Sequence, residues 1–187
     1  TASFVPWEEE FESCFGRRPR SIRLRGDIVS ELPNIGNSYE LFLMHYATAM
    51  NRISEITDFL ANYDTVLIID ESHWIKNPQL RRYASTALCI APNAKRRIVL
   101  TGTPMPNDAR DLWTQLTFLW PLNYPLGNQM QYNDYVQKRG IGRYKDKITP
   151  WFNRITKVDL DLPKPIFKNY RIDLGPIQRE IYDVIAA

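Results

Sequence analysis

The chain has 187 residues, 44% of them hydrophobic and 24% charged, with a formal net charge of +3. These proportions are those of a globular protein able to bury one sizeable core, and the net charge is too small to define a nucleic-acid partner by itself. No apolar run approaches the ~20 residues of a membrane span, no signal-peptide pattern is present, and the two cysteines, Cys14 and Cys89, offer neither a disulfide framework nor a zinc knuckle.

A reducing compartment is therefore expected, cytoplasmic in a bacterium or phage, or nuclear in a eukaryote. The sequence begins at Thr1 without methionine and stops at Ala187 in a helical pattern, so a fragment is expected.

In chain order, Phe4, Trp7, Phe11 and Phe15 recur at helical spacing and predict a helix over residues 4–15. Ser21 to Arg25 and Leu41 to Tyr46 read as short strands. Ala49, Ile53, Ile56 and Leu60 form one helical stripe. Val66-Leu67-Ile68-Ile69 is an apolar run ending in Asp70-Glu71-Ser72-His73, the pattern of a buried parallel strand delivering two carboxylates to its carboxyl end. In open α/β sheets that end is where ligands sit.

Asn77-Pro78 then offers an amide cap with proline at the first helical position. A second strand, Arg97-Ile98-Val99-Leu100, ends in Thr101-Gly102-Thr103-Pro104, and Asn107 is placed to cap a helix carrying Leu112, Trp113, Leu116 and Leu119. Alternating strands and helices predict a parallel sheet covered on both faces. Residues 121–149 hold prolines, glycines, tyrosines and the bases Lys138, Arg139, Arg143, Lys145 and Lys147; they read as an insertion without a core of its own. From Lys157, two short strands are expected around Pro163 and Pro165, then a helix opened by Pro176 with Ile177, Ile181 and Ile185 inward. The tryptophans, Trp7, Trp74, Trp113, Trp120 and Trp151, read as packing and hinge residues, and the arginines from Arg17 to Arg25 as a solvated face.

LIIDESHWIKNP and RRIVLTGTPMPNDARDLW together resemble the nucleotide-hydrolysis and coupling motifs of superfamily-two helicases, and within them the Swi/Snf-type translocases of double-stranded DNA. TASFVPWEEEF, ELFLMHYAT and WFNRITKVDLDLPKPIFKNYRIDLGPIQREIYDVI resemble further motifs of that family, in the right order; Ser72 brings the acidic box close to the annealing-helicase relatives. The resemblance implies an α/β fold: an incomplete RecA-like (P-loop NTPase) lobe over residues 1–120, a projection over 121–156, and a passage toward a second lobe over 157–187.

It further implies ATP and Mg²⁺ as cofactors of the full protein, with Asp70 holding Mg²⁺ through water and Glu71 acting as general base. His73, Thr101, Gly102 and Thr103 would couple nucleotide state to DNA grip, His73 by a hydrogen bond to Thr101 or Thr103. Ser3, His45, Tyr46, Lys76 and Asn77 match positions along a DNA-backbone groove, and Arg154 a position near the interlobe passage. Pro106 stands where the family has glutamine, with Asn107 retained. The implied partners are double-stranded DNA, held through phosphates without sequence reading, and the second lobe of the same chain; no membrane is implied.

No GxxxxGK(S/T) phosphate loop occurs in the chain, so by itself it is expected neither to bind ATP tightly nor to hydrolyse it. Two rival readings remain at this point: a non-catalytic DNA-binding or scaffolding module of RecA-like fold, and a small metal-dependent hydrolase using Asp70, Glu71 and His73.

Overall fold

Two pairs of short parallel strands, wrapped by helices, organise the first of two units. The computed structural model describes residues 2–76, 82–122, 126–156, 159–163 and 166–186. The units are Thr1–Thr149 and Pro150–Ala187.

Helix α1, Val5–Phe15, ends at Gly16, whose left-handed φ of 67° lets its N–H reach Glu12 O. Strand β1, Ser21–Arg23, then α2, Leu32–Ile35, lead to β2, Leu41–Leu43, which pairs parallel to β1 with Ser21 opposite Leu41. The predicted second strand is shorter than the reading to Tyr46, because Tyr46 already opens a helix, α3, Tyr46–Met50. The stripe from Ala49 to Leu60 is divided between α3 and α4, Ile53–Asn62, with the break at Asn51 and Arg52.

Strand β3, Val66–Ile69, runs parallel to β4, Arg96–Val99, with Ile69 opposite Val99. Between them lies α5, Arg82–Ile90. The expected helix start at Asn77-Pro78 lies outside the described residues. Helix α6, Leu112–Leu119, follows a turn capped not by Asn107 but by Asp108, whose carboxylate accepts the Arg110 N–H at 2.8 Å. Asn107 instead donates its backbone N–H to Asp111 Oδ2 at 2.9 Å.

The α/β class and the parallel pairing agree with the alternating pattern. Among the described residues, however, the strands form two two-stranded sheets, not one. Leu67 links them, packing against both the cluster of Leu24, Val29, Leu32, Ile56, Phe59 and Leu60 and that of Ile69, Ile75, Ala84, Ala87 and Phe118. Coverage of both sheet faces is not observed for β3–β4: Ile69 is buried under α5 and α6, while Val66, Ile68, Ile98 and Leu100 are exposed.

The insertion also differs from its reading. Helices α7, Gln129–Arg139, and α8, Gly142–Ile148, close a core with α6 made of Leu112, Trp113, Leu116, Tyr132, Val136, Tyr144 and Ile148. Helix α6 is buried from Leu112 to Phe118, so it faces the sheet and this second cluster at once. Only Trp113 of the five tryptophans is a core residue, with its indole N–H donated to Gly127 O at 2.9 Å. Trp151 is largely exposed and Trp74 nearly half exposed.

In the second unit, α9 spans Pro176–Ala186 as the proline start predicts. Ile177, Ile181 and Ile185 are exposed there instead of inward, since no core forms beneath them among the described residues. No strand forms in the described residues from 159 to 175 either.

Candidate functional site

The parallel register of β3 and β4 brings the acidic tip and the Thr-Gly-Thr tip side by side. Leu100 donates its N–H to Ile69 O at 2.8 Å, and Ser72 donates its own to Leu100 O at 2.9 Å, so the ladder continues past both strands. Asp70 and Glu71 are both exposed at this rim. Asp70 Oδ1 accepts the Glu71 N–H at 2.8 Å. Glu71 holds a left-handed backbone, φ 49° and ψ 49°, without the freedom of glycine. Such a conformation costs on the order of 1–3 kcal/mol and persists only where surrounding structure imposes it.

His73 stands between the two tips. Its Nδ1 lies 3.0 Å from Glu71 Oε2 and 3.5 Å from Thr101 Oγ1. The Glu71 contact is an ion pair when the ring is protonated, and the Thr101 contact is a hydrogen bond at the outer limit of length whose direction follows the imidazole tautomer. Thr101 Oγ1 in turn accepts the Thr103 N–H at 3.1 Å, which curls the loop through Gly102.

Of the residues matched to a DNA groove, Ser3, His45, Tyr46 and Lys76 lie on segments near the same tip. Ser3 lies in the turn Ala2–Phe4, and the Phe4 ring packs on His45 with centroids 4.5 Å apart. Tyr46 donates its hydroxyl to Asp70 O at 2.7 Å and packs its ring on Tyr83. Burial pushes the Tyr46 phenol up, with the charges of Asp70 and Glu71 adding to the shift, so it stays a donor. Lys76 ends the turn Ser72–Ile75 and is half-buried. Asn77 lies outside the described residues.

Sequence reasoning missed Gln115. Its amide sits 3% exposed in α6, accepts the buried Ser72 hydroxyl at 2.8 Å, and donates Nε2 to Pro104 O at 2.7 Å and Asp111 O at 3.1 Å. One side chain thus ties the acidic box to the loop after Thr103. The available signal was Ser72 itself: a hydroxyl next to the acid pair needs a polar partner when buried, and Gln115 interrupts an apolar helix face.

The arginines from Arg17 to Arg23 are occupied within the chain: Arg17 and Arg20 by Glu40, Arg18 by Glu12, and Arg23 by Glu8.

Asp70 and Glu71 are hard oxygen donors of the kind Mg²⁺ takes, and Asp70 Oδ2 carries no protein hydrogen bond among the described residues. Among the described residues no group of three or more His, Cys, Asp and Glu side chains could hold a metal alone. An ion that keeps its waters and shares substrate phosphates needs only one or two carboxylates from the protein. No helix among the described residues is long and apolar enough to cross a membrane.

A family model described as "SNF2-related domain" matches residues 6–187. The ATP-dependent helicase fft2 of Schizosaccharomyces pombe is 30% identical over 80% of this chain and 13% of its own length. An uncharacterized ATP-dependent helicase of Mycoplasma genitalium is 28% identical over 95% of this chain and 17% of its own. The TATA-binding protein-associated factor MOT1 of Saccharomyces cerevisiae is 27% identical over 94% of this chain and 10% of its own. The chain therefore spans less than a fifth of each of these relatives.

Proposed function

Because the chain belongs to the SNF2-related domain family, we propose that it forms part of the first lobe of an ATP-driven motor on double-stranded DNA. In this reading Glu71 is the general base that takes a proton from the water attacking the γ-phosphate. Asp70 would hold Mg²⁺ through water, and the ion would neutralise charge on the phosphates. His73, 3.0 Å from Glu71 and 3.5 Å from Thr101, passes nucleotide state to the Thr101-Gly102-Thr103 loop. Ser3, His45, Tyr46, Lys76 and Asn77 meet DNA phosphates, which positions the duplex without reading its sequence.

The single observation carrying this reading is the shared rim: two parallel strands in register end in the acid pair and the Thr-Gly-Thr loop, with His73 between them. A phosphate loop and a second lobe of the same protein would complete the site, and the 187 residues alone would be inactive. Action in the cytoplasm or the nucleus follows from DNA as the track.

The test is Glu71→Gln in the full-length protein, assayed for ATP binding and for ATP turnover with and without duplex DNA. ATP binding is expected to persist while DNA-stimulated turnover falls by at least the ~10²–10⁴ of a lost general base. Turnover at the wild-type rate removes the assignment.

A further inference from the structure

The helical projection contains a cleft of about 670 Å³ lined by four cations, Lys138, Arg139, Arg143 and Lys147, and one carboxylate, Asp134. Four positive charges against one negative give this single cleft an excess equal to the +3 of all 187 residues. Asp134 is already engaged by Lys138 at 2.7 Å, one turn away on α7. Among the described residues no carboxylate pairs with Arg139, Arg143 or Lys147. The contrast with Arg17, Arg18, Arg20 and Arg23, each answered by a glutamate, is direct.

Helix stability explains part of this pattern. Lys138 and Arg139 lie in the last turn of α7 and Lys147 in that of α8, where the helix dipole favours cations. It does not explain Arg143, which lies in the first turn of α8, the end that disfavours a positive charge. Arg143 is held instead by rings: its guanidinium lies 5.6 Å from the Tyr135 centroid and 5.7 Å from that of Tyr144. Tyr144 is itself buried and packs edge-on against Tyr132 and Tyr135. The cation is thus fixed in place before any ligand arrives.

The same geometry says what the cleft takes. Arg143 lies over both rings and Tyr144 is buried, so little aromatic surface is left for a stacked base. The one acid is paired, so an ammonium or an amino group finds no acceptor there. What remains is a row of donors, with Arg143 and Lys147 one turn apart on one face of α8, suited to an anion of repeating charge. We infer that the α7–α8 cleft is a second seat for the phosphodiester backbone of duplex DNA, in addition to the rim of Asp70 and Thr101. The choice of DNA over an acidic protein segment rests on the motor reading above.

The test uses the full-length protein and a labelled duplex, with binding followed by fluorescence anisotropy across a salt series. Arg139→Gln combined with Lys147→Gln leaves the ring-held Arg143 and the paired Lys138 in place. The slope of log affinity against log salt is expected to become shallower by about 2, one unit for each phosphate that the protein no longer neutralises. Asp134→Asn releases Lys138 and is expected to steepen the slope by about 1, a gain that no loss of folding imitates. Unchanged slopes in both variants overturn the inference. So does binding of a poly-glutamate peptide that the double variant loses while its duplex slope is unaltered, since the cleft would then belong to an acidic protein. The motor reading fails separately, through wild-type turnover in Glu71→Gln, and that result leaves the slopes free to decide the cleft.

Discussion

At the scale of single residues, the acidic tip and the loop after Thr103 are tied together by an amide and a hydroxyl that carry no charge. Ser72 is fully buried and Gln115 nearly so, and each is the other's partner at 2.8 Å. Removing one member of such a pair leaves the other desolvated without a bond, which costs about 1–3 kcal/mol. Ser72→Ala and Gln115→Leu are each expected to destabilise by that amount in urea denaturation. The double variant is expected to cost less than the two together, by a coupling of about 0.5–3 kcal/mol. Full cancellation is not expected, because Gln115→Leu also strips the Pro104 and Asp111 carbonyls of their donor. Additive costs would show that the pair does not act as one strap. The acid pair was legible in the sequence because an apolar run ending in carboxylates is a local pattern. Gln115 was not, since its meaning comes from Ser72, 43 positions away in sequence.

Between elements, short strands survive by being tied at their ends. Strands β1 and β2 share only three residue pairs, and charged tethers at their edge add to the ladder. Glu40, just before β2, accepts both Arg17 guanidinium nitrogens, at 2.8 and 2.7 Å, and the Arg20 backbone N–H at 3.2 Å. The Arg17 bonds, then that of Arg20, pull its carboxyl from 4.5 to about 2. A carboxyl lowered by folding stabilises the native state fully above its unfolded value and loses that contribution as it protonates. The melting-temperature advantage of wild type over Glu40→Gln is therefore expected to hold above pH 4.5 and to disappear as pH falls toward about 2. An advantage that stays constant across that window would mean the tether is not charged in the way the geometry requires. Patterns within one element were readable beforehand: α1 by its aromatic spacing, α9 by its proline start. Boundaries set by a neighbour were not. Tyr46 has strand-like chemistry but opens α3, where its hydroxyl reaches Asp70 O, and Asp108 in place of Asn107 caps the turn before α6.

Across the whole molecule, the sheet was expected to be covered on both faces, and β3 shows why sequence alone could not tell. Val66-Leu67-Ile68-Ile69 is apolar at every position, as a doubly covered strand would be. Yet Ile69 is 7% exposed and its neighbour Ile68 is 38% exposed. Period-two geometry sends the two side chains to opposite faces, and only one face meets α5 and α6. The consequence can be measured on adjacent residues of identical chemistry. In the 187-residue chain, Ile69→Ala is expected to cost about 2–5 kcal/mol, the cost of truncating a packed core side chain. Ile68→Ala is expected to cost clearly less, because its side chain is already 38% exposed and leaves no enclosed cavity. The same pair of substitutions in a full-length protein reads the other face directly. If a further segment lies against Val66, Ile68, Ile98 and Leu100 there, the Ile68→Ala cost rises toward that of Ile69→Ala. If the two costs stay apart, that face is solvent-exposed in the working protein too, and the continuous apolar run of β3 has no packing explanation.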